Sequence, residues 1–160
     1  MSKQLYEKLI HDLCEISQNK NPKSIIDGGP VSVNDVVFSI HPGTEMNEGT
    51  LLVYCDFGEI FKGREAEVSR MLLEANLLMY AANGPMYAIS PLSGRVIYQH
   101  RYAIDALTGK SLRDALVFVA AKAKEWRKTQ LLDNPPVKAN AAAANLILRN
   151  WTNTAADGKN

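Results

Sequence analysis

The sequence predicts an α+β protein, an α-βββ-α-ββ-α sandwich with a mostly antiparallel five-stranded sheet. Three features of the chain lead there. Apolar residues recur at helical spacing in three separated stretches. Short runs rich in branched and aromatic residues lie between them. Those runs are joined by a few turn residues, which hairpins tolerate and parallel crossovers do not.

Leu5, Leu9, Leu13 and Ile16 repeat close to every 3.6 residues, so residues 3–18 read as an amphipathic first helix. Asn19 to Lys23, with Pro22, ends it. Val31 to Val33 and Val36 to His41 follow as strands around Asn34-Asp35, a pair suited to a tight turn. Pro42-Gly43 and Asn47-Glu48-Gly49 bracket a loop, and residues 50–57, TLLVYCDF, have the content of a third strand.

The next helix, roughly 64–82, has no clean polar face. Met71, Leu72, Ala75 and Met79 make one apolar stripe, and Leu73, Leu77 and Tyr80 make another. A helix with one core to meet needs one stripe, so the second is covered either by the terminal helix of the same chain or by a second subunit. Asn83-Gly84-Pro85 stops this helix, and Met86 to Ser90 and Arg95 to Tyr102 form two strands through Pro91-Leu92-Ser93-Gly94. A long helix over 111–131 carries Leu112, Leu116, Val119, Ala123 and Trp126 on one stripe. Gly109 reads as ending a turn, Ser111 as the helix cap, and Asp114 as its capping-box partner.

After Asp133-Asn134-Pro135-Pro136 the composition shifts to Ala, Asn and Thr. The chain therefore divides into an α+β domain, 1–132, and a tail, 133–160, with one candidate helix over 138–151 and a polar, mobile end.

A chain of 160 residues suits one domain that buries roughly 70% of its unfolded surface. Lys+Arg 18 against Asp+Glu 17 leaves no field to recruit nucleic acid or an anionic membrane. The basic cluster Lys122, Lys124, Arg127 and Lys128 is shared with Glu125 and reads as a solvated helix face. No run approaches the ~20 apolar residues of a membrane span, and the acid-containing N-terminal stretch lacks the apolar core of a signal peptide. Cys14 and Cys55, unclustered, read as buried reduced thiols, which makes the cytoplasm the expected compartment.

Catalytic motifs fail on inspection. Thr108-Gly109-Lys110-Ser111 imitates the end of a phosphate-binding loop, but the required earlier glycine position is Ile104. His11, His41 and His100 fall at no metal-ligand spacing, and the two cysteines form no CxxC. No cofactor or catalytic constellation is expected.

The run Leu72-Leu73-Glu74-Ala75-Asn76-Leu77-Leu78, followed by Asn83-Gly84-Pro85 and a last helix bearing Trp126, resembles the CesT (Tir chaperone) family, the class I chaperones of bacterial type III secretion. The element order matches too, and the similarity runs from about Leu5 to Leu131. The resemblance implies a cytoplasmic homodimer without catalytic activity. It would bind the N-terminal segment of a secreted effector, keep it soluble and secretion-competent, and deliver it to the secretion apparatus, with the secretion ATPase as a further partner. Such chaperones are usually acidic, which this chain is not. A regulatory protein-binding module of the same fold is the near alternative, and a small enzyme the remote one.

On this resemblance Leu73, Leu77 and Tyr80 would meet the same helix of a second subunit around a two-fold axis. The effector would lie along Leu5, Leu9, Leu13 and Ile16 of the first helix and Val31, Val33 and Val37 of the early strands, adding a strand to the sheet edge.

Overall fold

A computed structural model describes residues 2–80 and 83–132. The tail from Asp133, with its expected helix over 138–151, lies outside the described residues.

The elements run α1 (Ser2–Ile16), α2 (Pro22–Ile26), β1 (Val31–Val33), β2 (Val36–Pro42), β3 (Thr50–Gly58), α3 (Glu65–Tyr80), β4 (Met86–Ile89), β5 (Val96–Ala103) and α4 (Gly109–Thr129), with 3-10 turns at Glu45–Asn47 and Ile104–Ala106. The five strands form one sheet in the order β1-β2-β3-β5-β4, every neighbour antiparallel. The β1–β2 turn places Asn34 and Asp35 at φ 50° and 60°, the left-handed conformation that matches the twist of a two-residue hairpin.

Alternation along β3 sets the layers. Leu51, Val53, Cys55 and Phe57 are buried, while Thr50, Leu52, Tyr54 and Asp56 are half-buried. The buried face meets α1 through Tyr6, Leu9, Ile10 and Leu13, and α4 through Leu112, Leu116, Val119, Ala123 and Trp126. Tyr6 crosses the core to donate its hydroxyl hydrogen to the Ile40 carbonyl at 3.0 Å. The two helices approach so closely at Gly109 that a Cβ there would sit 2.7 Å from the Asp12 carbonyl carbon.

Two helix starts differ from expectation. Pro22 does not merely end α1; it opens α2, with Asn21 accepting from the Ser24 N–H at 3.2 Å. Proline's fixed φ and missing N–H suit a first helical turn. At α4 the cap is Thr108, not Ser111, and Gly109 is already helical rather than the end of a turn. Thr108 Oγ1 accepts from Ser111 N at 3.1 Å, and Ser111 Oγ accepts from Thr108 N at 2.9 Å. Thr108 has the extended backbone a cap requires, so the box closes through Ser111 and Asp114 takes no part.

The far end of α4 is tied to the chain leading into α3. Gln130, fully buried and left-handed at φ 53°, accepts from Phe61 N–H at 3.0 Å and donates to the Glu59 carbonyl at 2.9 Å. Arg127 donates to the Phe57 and Asp56 carbonyls at 2.9 and 2.6 Å, and Arg64 to the Thr129 carbonyl at 3.3 Å.

Candidate functional site

Titratable groups are dispersed. Among the described residues no three of His, Cys, Asp and Glu come together as a metal site requires. Cys14 and Cys55 are buried, and burial pushes the Cys55 thiol up to about 12 against the opposing pull of Arg127, so it stays protonated and unreactive. What the molecule presents instead is apolar surface, in three places.

The first is α3. Val68 and Leu72 are buried, and Met71 and Ala75 pack at the margin of the core. Leu73 and Tyr80 are 69% and 71% exposed, with Leu77 and Leu78 at 36% and 37%. Among the described residues, therefore, nothing covers the second stripe. The helix is held to the edge of the sheet by Asn76, which bonds the Tyr87 backbone in both directions.

The second is a cleft of about 370 Å³ between the end of α1, β1 and α4. It brings together four of the seven residues expected to meet an effector: Leu13, Ile16, Val31 and Val33. Ile16 is 43% exposed, Leu13 and Val31 are buried in the floor, and Val33 is partly buried. Beside the cleft, β1 pairs with β2 on one side and, among the described residues, with no strand on the other. The remaining three fall elsewhere. Leu9 is 4% exposed and belongs to the core, because α1 turns its Tyr6–Leu9–Ile10–Leu13 stripe onto the sheet. Leu5 is exposed on α1 and Val37 is exposed on β2, neither of them lining the cleft.

The third is a cleft of about 310 Å³ over the other end of the sheet, between β4, β5 and α4. Its walls include Tyr87, Tyr98 and His100 from the strands, Phe118 and Trp126 from α4, and Leu131 just beyond it. Phe57 stacks on Tyr98 with ring centroids 5.4 Å apart, and Tyr87 stands edge-on to both. Trp126 Nε1 and His100 Nδ1 are buried without a hydrogen-bond partner among the described residues. Burial lowers the His100 pKa and keeps the ring neutral, while the Asn83 carbonyl pulls the other way. No motif or stripe in the sequence announces this cleft. Its one signal was the period-two run Tyr98, His100, Tyr102, which puts three rings on one sheet face.

A model of the Tir chaperone protein (CesT) family matches residues 34–127. No curated protein sequence matches the chain. Among solved structures, the chain is similar to one in the HopA1-SchA chaperone-effector complex, with TM-score 0.63 and 17% identity over 81% of this chain and 98% of that one. It is also similar to one in the complex of the Yersinia pestis type III secretion chaperone SycH with a fragment of YscM2, at TM-score 0.54 and 16% identity over 75% and 98%. A third is in the ExoT-SpcS complex from Pseudomonas aeruginosa, at TM-score 0.54 and 19% identity over 76% and 96%. At such identities these likenesses establish the fold.

Proposed function

This chain belongs to the Tir chaperone protein (CesT) family, and from that premise we propose that it is a class I type III secretion chaperone. It binds the N-terminal segment of a secreted effector, keeps that segment soluble and secretion-competent, and delivers it to the secretion apparatus. The observation that carries this reading is the α1–β1–α4 cleft lying against a strand edge that no other strand among the described residues covers. An extended peptide needs both features: backbone partners along one edge and a groove for alternate side chains. Ordering such a peptide costs free energy, so the apolar walls Ile16, Val31 and Val33 must supply the contact area.

The working unit is a homodimer in the cytoplasm, joined through Leu73, Leu77 and Tyr80, whose exposure in one chain supports an isologous contact. Residues 1–132 are the chaperone body and 133–160 an appendage to it. The secretion ATPase is a further partner on this reading. The function is chaperoning rather than catalysis.

Co-expression with the secretion apparatus active, followed by affinity purification and mass spectrometry, tests the proposal. The expected result is one or a few secreted proteins that copurify through their N-terminal segments. Folded, dimeric protein that retains no secreted protein under these conditions overturns it.

A further inference from the structure

We propose that the cleft between β5 and α4 is occupied by the tail of the same chain, through Leu146, Ile147, Leu148 and Trp151. The cleft is apolar, aromatic-walled and, at about 310 Å³, at the lower end of cavities that hold a ligand, roughly 300–1,000 Å³. It is also where the described chain ends. Leu131 and Leu132 line the cleft themselves, so the tail departs from its rim.

The tail holds one cluster of large apolar residues, Leu146, Ile147, Leu148 and Trp151, within a stretch dominated by Ala and Asn. The fourteen residues from Leu132 to Leu146 reach up to about 46 Å when extended, and about 21 Å if helical, so the tether spans the cleft either way. A segment tethered this closely acts at roughly millimolar effective concentration, whereas a second copy must also offset the lost freedom of association.

The polar atoms in the wall point to the same class of occupant. Trp126 Nε1 is a donor without an acceptor, and neutral His100 has its Nδ1 as an acceptor without a donor. A hydrocarbon ligand would leave both unmet. A peptide segment carries carbonyls and N–H groups together, and Asn145, just before the cluster, and Asn150, within it, have side-chain amides that offer both.

Cross-linking in the full-length chain tests this. Cys14 and Cys55 are buried, so newly placed thiols react selectively. Phe118→Cys combined with Trp151→Cys should form an intrachain disulfide at least ten-fold faster than Leu92→Cys with Trp151→Cys, Leu92 being 97% exposed in the β4–β5 turn and outside the lining of the cleft. Equal rates, or bridges only between two chains, overturn the proposal. As a second readout, the Phe118→Cys thiol should be labelled several-fold faster when Leu146→Asp and Trp151→Asp are added, with circular dichroism unchanged. Labelling that ignores the tail and depends on protein concentration would show that a second copy fills the cleft instead.

Discussion

Asn76 grips Tyr87 with both ends of its amide: Oδ1 accepts from the Tyr87 N–H at 2.7 Å, and Nδ2 donates to the Tyr87 carbonyl at 2.8 Å. A side chain thus does for the outer edge of β4 what a sixth strand would do. The edge is closed to backbone pairing at that residue, and α3 is fastened to the sheet at the same point.

Asn76→Ala removes both bonds and strands the Tyr87 backbone groups, so it should cost about 1–3 kcal/mol of unfolding free energy. Asn76→Asp should not rescue it, because a carboxylate cannot donate to the Tyr87 carbonyl. Urea titration followed by circular dichroism measures both. Stability within 0.5 kcal/mol of wild type for the alanine variant, below the usual range for such a loss, would show that the amide bridge holds nothing.

Leu77→Glu should give folded monomer, because it sets a charge in the middle of the proposed two-fold contact while facing solvent in the isolated chain. Sedimentation velocity reads the mass. Wild-type protein that remains monomeric at high micromolar concentration removes the basis for the dimer.

Position within the first cleft separates binding from folding. Ile16→Glu and Val33→Asp change its walls and should abolish effector copurification with circular dichroism unchanged. Leu9→Ala, in the core, should instead cost about 2–5 kcal/mol of stability. If the two wall variants unfold as Leu9→Ala does, the cleft is part of the core and not a binding groove.

His100 makes stability depend on pH. Burial lowers its pKa below the ordinary 6.5, so as pH falls through that value the unfolded chain takes up a proton that the folded chain refuses. Stability should therefore be full above about 6.5, decline as pH drops below it at a slope of at most about 1.4 kcal/mol per pH unit, and level off once the folded-state value is passed. His100→Gln should flatten this part of the curve. A variant whose stability follows wild type between pH 7 and 5 would show that His100 is not the group responsible.

Much of the fold is legible in residues that act locally. Asn34-Asp35 tolerate left-handed backbone, so the first hairpin can be read directly, and the two stripes of α3 declare a helix with more than one face to cover. Helix starts are less legible. Pro22 and Thr108 each have two local readings, and what surrounds them decides. The first residue of α4 must be Gly109 because α1 lies too close to admit a side chain, which no local pattern records. The same limit applies to the sites. Leu9 and Ile16 share one periodic stripe, yet Leu9 lies in the core while Ile16, the last residue of α1, is left half in solvent. The aromatic cleft draws on β4, β5, α4 and the residues after it, so it exists only once the chain has folded.

The stitching at the C-terminal end of α4 has a mechanical consequence. This helix is a rod of about 31 Å. Its first half, at Arg113, Leu116 and Val117, walls the cleft beside β1. Its last turn holds the approach to α3 through Gln130, Arg127 and the Thr129 carbonyl. Beyond those bonds α3 is held by Val68 and Leu72 in the core and by the Asn76 bridge to Tyr87. A tilt of the rod imposed by cargo at one end would be delivered, with lever action, to the base of the helix that carries Leu73 and Leu77 at the other.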